Sequence, residues 1–157
     1  MSFIAGPYTA TYNSAAVGIT EEGFDLDQVF FQEIVRGDNM GSGAQDGVYR
    51  AGDAFISFVG EEFNLIRASA IINPYAALGV IGQVGRLATN LAMNITLTAT
   101  AGTPAFAQIN SLSASKSILA EGFNLKTTFS TRLRKSPLRL QLFPSGSVNA
   151  EKWFEIA

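Results

Sequence analysis

Apolar and polar residues alternate along most of this chain, and the period lengthens clearly only once. Tyr8–Tyr12 is a short β-prone run, closed by the turn pair Asn13-Ser14. Ala16–Thr20 follows, then Glu21-Glu22-Gly23 as a second tight turn. Phe24-Asp25-Leu26-Asp27 alternates apolar and acidic side chains, the period of a half-buried strand, and Val29–Val35 continues it. In Ala51–Phe63 the residues Ala54, Ile56 and Phe58 share one face, with Phe55, Ser57 and Val59 on the other. Both faces are largely apolar, which predicts a central strand covered on both sides. The alternation then gives way to helical spacing over Asn64–Asn73. Glu61 and Glu62 stand where a helix dipole favours anions, Asn64 is placed to cap, and Pro74 ends the run. A helix there would plug one side of the sheet layer.

The last third returns to strands. Asn94–Thr100 turns Ile95, Leu97 and Ala99 inward, Gly102-Thr103-Pro104 breaks the run, and Leu112–Leu119 resumes it up to the turn at Glu121-Gly122. Leu125–Arg134 is strongly amphipathic, Lys135-Ser136-Pro137 turns the chain, and Leu138, Leu140 and Leu142 face one way. Gly79, Gly82 and Gly85 recur every third residue. A phosphate-cradling loop needs a strand before it and a helix after it, whereas here a Pro-terminated helix precedes, so the segment reads as a loop-to-strand connection. Leu87–Leu91 has the makings of a short helical turn. Residues 37–50 carry four glycines among Asp, Asn and Gln and read as a long inter-strand loop, with Met40 its one large apolar residue before Val48. These elements predict a mainly β fold: a β-sandwich or barrel with one flanking α-helix at about 64–73 and a long loop at about 37–50. Residues 1–143 form the domain and 144–157 a tail or arm, whose Trp153 and Phe154 are apolar enough to dock on this subunit or the next.

Composition narrows the function more than the fold. Of 157 residues 47 % are hydrophobic, enough for a core without staples, and only 15 % are charged. Average soluble domains carry roughly 25 % charged residues, so much of this surface is uncharged and cheap to desolvate. That suits either broad subunit contacts or an ordinary polar β domain. The absence of Cys and His removes disulfides, thiolate chemistry, the commonest general base and the commonest metal ligands. An enzyme is disfavoured, and no catalytic, metal or cofactor residues are assigned. The start of the chain lacks a basic segment and apolar run, and no stretch has the roughly 18 apolar residues of a membrane helix, so the expectation is cytoplasmic synthesis with no membrane contact.

Charge is unevenly spread. Residues 1–66 hold ten acids and two bases, a balance of −8, and residues 67–157 hold nine bases and three acids, a balance of +6. Such a split permits head-to-tail association between copies, or interleaves within the fold and neutralises locally. Arg132, Arg134, Lys135 and Arg139 form the one basic cluster. A net charge of −2 and the lack of a basic stripe interleaved with aromatics argue against nucleic-acid binding, and for a patch that meets a neighbour's acidic loop. Asp25 and Asp27 share a strand face, as paired glycosidase acids can, but with no sign of a pocket they read as a solvated or lumen-facing edge. The 37–50 loop lacks the ligand spacing and closing Glu of a calcium-binding loop. Asn94-Ile95-Thr96 fits a glycosylation sequon but reads as strand sequence.

The order of features resembles the tail tube (major tail) proteins of long-tailed bacteriophages. The resemblance is carried by Gly18-Ile19-Thr20-Glu21-Glu22-Gly23-Phe24-Asp25-Leu26, by Glu33–Asp38, by Gly47-Val48-Tyr49-Arg50, by the Ala54–Phe63 strand with the helix after it, and by the closing Ile118-Leu119 and Phe129–Leu140 strands. It covers most of residues 6–143 through glycine turns and apolar strands rather than a chemical signature. It implies a virion protein, made in a bacterial cytoplasm, that self-assembles into stacked and hexameric rings. DNA would be ejected through their lumen without sequence-specific binding, and other tail proteins would be partners. Asp25 and Asp27 become candidate lumen residues. Asp38, Asn39, Met40, Asp46, Tyr49, Arg50, Arg132, Arg134, Arg139, Trp153 and Phe154 become candidate subunit contacts. A head–tail connector, baseplate subunit or capsid decoration protein would share these signals. A carbohydrate-binding module fits less well, since Trp153 is the lone tryptophan available for stacking on sugar.

Overall fold

A computed structural model describes residues 7–18, 20–37, 41, 43–60, 71–100, 109–122 and 136–157. The fold is mainly β. Among the described residues eight strands, β1 (Tyr8–Tyr12), β2 (Ala15–Ala16), β3 (Thr20–Arg36), β4 (Ala44–Gly60), β5 (Met93–Ala99), β6 (Ser111–Leu119), β7 (Ser136–Leu142) and β8 (Glu155–Ile156), form one antiparallel sheet. Its order is β2-β1-β5-β6-β7-β4-β3. One edge of β6 pairs with β5. The other is shared by β8, against Leu112 and Ser113, and β7, against Ser117–Leu119.

The predicted alternations place the core. Directly opposed residues of antiparallel strands share a face. On one face Ala54, Ile56 and Phe58 meet Leu142, Leu140 and Leu138, while Ile95 and Leu97 meet Tyr12 and Ala10 on one side and Ala114 and Leu112 on the other. These residues form one buried cluster, which Ile71 joins from the helical residues 71–72. At its rim the Phe24 ring packs tilted against Phe58, with centroids 5.3 Å apart. The opposite face is partly covered where the sheet is central: Ile118 and Ala120 are buried there, beside half-buried Arg139 and Gln141.

Tyr12 is the main polar feature of the core. Its hydroxyl donates to the Ser117 carbonyl at 3.1 Å, and the buried Ser117 hydroxyl donates to the Met93 carbonyl at 2.8 Å. Burial pushes the Tyr12 hydroxyl up to about 12, because a phenolate there would lose its hydration.

Backbone pairing revises several of the sequence expectations. The tight turn expected at Glu21-Glu22-Gly23 lies inside β3 as a register shift between Glu21 and Phe24, and Ser136 and Pro137, expected in a turn, begin β7. The loop predicted over 37–50 is shorter, because β4 begins at Ala44: Gln32–Arg36 supply hydrogen-bond partners to the glycine-rich segment up to Tyr49, and the pairing overrides its loop-like composition. The second predicted run, Ala16–Thr20, is reduced to the two-residue β2 before β3 starts at Thr20. Of the helix expected at 64–73, residues 64–70 lie outside the described residues, as do the Gly102–Pro104 break and the Leu125–Arg134 strand. Ala88–Asn90 form the short helical turn expected near Leu87. Among the described residues no helix is long and apolar enough to cross a membrane.

Candidate functional site: an apolar hairpin arm

Strands β3 and β4 have 17 residues each, three times the usual strand length, and span roughly 55 Å at ~3.3 Å per residue. Only the first part of this hairpin belongs to the body. Residues 54–60 of β4 pair with β7 on one edge and β3 on the other. Beyond Gln28 and Ala54 the described sheet narrows to β3 and β4 alone, and residues 28–36 and 44–51 are all exposed. The projecting part is about 25 Å long.

The sequence of this arm is not that of a solvated ribbon. Val29, Phe30, Phe31, Ile34, Val35, Val48 and Tyr49 are all exposed on it, Phe30 to 59 % and Tyr49 to 62 %. On the face continuous with the core lie Phe30, Ile34 and Tyr49, with the Phe30 and Tyr49 rings 6.4 Å apart. The opposite face carries Val29, Phe31 and Val35, with Asp53 opposite Val29, Val48 opposite Glu33 and Asp46 opposite Val35. Arg50 pairs with Glu33 at 3.4 Å; both side chains are largely exposed, so the bond contributes little to stability.

A bulge marks the root of the arm. Between Phe30 and Gln32 the register slips, with β4 advancing from Gly52 to Tyr49. Ala51 takes up the slack at φ +60°, a left-handed conformation unusual for a residue with a side chain. Gly52 is required by close approach: a Cβ there would stand 1.9 Å from the Val29 carbonyl oxygen. The tail reaches the same place. A bridge between Ser145 and Lys152 turns it back, an ion pair joins Lys152 to Glu155, and Trp153 meets Phe30 edge-on at 6.4 Å. Trp153 and Phe154 pack on the core cluster of their own subunit.

The sequence-predicted residues therefore separate. Asp46, Tyr49 and Arg50 lie together on the arm, and Trp153 lies at its root. Asp25 and Asp27 are exposed on β3 nearer the body, on the face away from the core, opposite Ser57 and Phe55. Arg139 is on the same face of β7, its guanidinium 4.1 Å from the centre of the Phe55 ring, and its Nε has no hydrogen-bond partner among the described residues. Asp38, Asn39, Met40, Arg132 and Arg134 lie outside the described residues. Sequence reasoning missed Phe30, Phe31, Val35 and Val48 as surface residues. Val29–Val35 reads as the continuation of a half-buried strand and Val48 as part of a loop, and their exposure shows only once the strands are placed.

No family model matches the chain, and no curated protein matches it. Among solved structures it is similar to the sheath/tube terminator of an extracellular contractile injection system, PVC, in its extended state. The two share 12 % identity and a TM-score of 0.49 over 85 % of this chain and 87 % of that one. A likeness at that level assigns neither a family nor a function.

Proposed function

We propose that the protein is a non-enzymatic structural subunit that assembles with copies of itself into stacked rings, the tail tube of a tailed bacteriophage. The observation that carries the self-assembly is the arm. A two-stranded ribbon is marginal on its own in water, and an edge strand that is long and apolar is a template for pairing with another chain. Here β3 is both: among the described residues it is the outermost strand of the sheet, and it carries Phe31 and Val35 into solvent. Such a surface is stabilised when a neighbouring subunit covers it.

The tube, and hexamers as its rings, rest on the resemblance in the order of strands and turns. Asp25 and Asp27 suit a channel lining, because exposed carboxylates repel a polyanion and let DNA pass without sticking. Other tail proteins would meet the ends of the stack.

Negative-stain microscopy and light scattering on the purified protein test this reading. The expected result is rings that stack into tubes, with a variant in which residues 30–51 are replaced by a two-residue turn remaining monomeric and folded. Single rings that never stack would assign the protein to a connector or baseplate position instead. Monomers alone at every concentration would overturn self-assembly itself.

A further inference from the structure

The glycine-spaced segment at 79–85 lies outside the arm and is closed by its own hydrogen bonds. Asn73 Nδ2 donates to the carbonyls of Ala77 at 2.9 Å and Val80 at 2.8 Å, and the Val80 amide donates to the Ala77 carbonyl at 3.0 Å. Gly79, Gly82 and Gly85 sit at φ +80°, +79° and +89°, a region open to glycine at little cost. A Cβ on Gly82 would stand 2.9 Å from the Tyr75 carbonyl oxygen, so the turn is closed there by backbone contact. This internally bonded turn holds aliphatic side chains in water: Ile81 is 87 % exposed, Val84 88 %, and Leu87 beside them is exposed as well. Arg86 is the single charged residue between 71 and 100.

The arm offers the complementary surface. Its outward face bears Val29, Phe31, Val35 and Val48 among three acids, Asp53, Glu33 and Asp46, with Arg50 ion-paired to Glu33. An apolar stripe with a net negative charge thus exists on the same chain as an apolar knob whose only charge is positive.

We propose that the 79–87 loop of one copy docks on the outward face of the β3–β4 arm of a second copy. The inference rests on the self-assembly reading and names its contact surfaces. The proposed contact is head-to-tail and not reciprocated within a pair, so that it continues into a ring or a filament; a reciprocal pair would instead close as a dimer. Ile81 and Val84 enter between Phe31 and Val48, and Arg86 meets the acids beside them.

The chain has no cysteine, so introduced thiols report contacts cleanly. Val84→Cys and Val48→Cys proteins, prepared separately and mixed under mild oxidation, are expected to give a covalent dimer containing one of each. The double variant is expected to give a ladder of covalent multimers. Ile81→Asp with Val84→Asp is expected to raise the concentration needed for assembly at least ~10-fold, as loss of a buried contact centre does, with the melting temperature unchanged. If wild-type protein assembles while the double Asp variant assembles at the same concentration and no mixed dimer forms, the docking is wrong and self-assembly stands. A Val84→Cys homodimer without the mixed product overturns the arm as the partner. Failure of wild-type protein to assemble at all removes both.

Discussion

The two ends of the β3–β4 hairpin have similar sequences and opposite surroundings. Near the body, Phe24 and Leu26 alternate with acids, and together with Ile56 and Phe58 they lie in or against the core. Farther out, Phe30, Phe31, Ile34 and Val35 continue the same strand with some 40–59 % of their surface exposed. Backbone pairing suffices to carry the strands outward, and burial holds only their base. Apolar side chains kept on the unburied half do not stabilise the isolated subunit, which is the physical reason to expect their use between subunits.

The sharpest way to break the comparison is to cut equally in both halves. Ile56→Ala, at a fully buried position, is expected to cost about 2–5 kcal/mol in denaturant unfolding, while Phe31→Ala on the arm should shift stability by less than about 0.5 kcal/mol yet impair assembly. Equal losses of stability would mean that the arm is folded onto its own body in solution.

Alkali probes the body alone. A phenol whose folded pKa is raised stabilises the fold fully below its unfolded value near 10, and that contribution is lost as pH rises toward about 12. A shift of two units corresponds to about 3 kcal/mol. Chemical unfolding between pH 9 and 12 should show a fall of that order for the wild type and a smaller one for Tyr12→Phe, which at neutral pH loses about 1 kcal/mol with the Ser117 hydrogen bond.

At the root of the arm, Gly52→Ala forces the Val29 carbonyl away and is expected to cost roughly 1–3 kcal/mol, seen as faster proteolysis within 28–53 before global unfolding. The smallest effect belongs to Arg50→Ala. It breaks an exposed ion pair and should change stability by under about 0.5 kcal/mol, with any larger effect appearing only in the salt dependence of assembly.

Much of the body was legible in the sequence because its strands are half-buried. Period-two alternation in 54–58, 95–99 and 138–142 marks inward positions, and the structure buries Ile56, Ile95 and Leu140 completely. The arm was not legible for the same physical reason. Both faces of 44–51 meet solvent, so no periodic signal distinguishes strand from loop, and Gly47, Asp46 and Gln45 favour the latter on composition. The pairing that makes it a strand is with residues well back along the chain, from Tyr49 with Gln32 to Asp46 with Val35, and a local reading does not register it. The glycines at 79, 82 and 85 were visible as a pattern, whereas the exposure of Ile81 and Val84 and the Asn73 hydrogen bonds to the Ala77 and Val80 carbonyls appear only in the folded chain.

Trp153 gives the joint between arm and body a spectroscopic handle. It is the lone indole of the chain, half-buried, and in edge contact with Phe30 where the arm leaves the body. Its ultraviolet emission is therefore a native optical gauge of that one place. If a neighbour levers the arm, the solvent around a single fluorophore changes, and the colour of the emitted light records the movement in real time without a label.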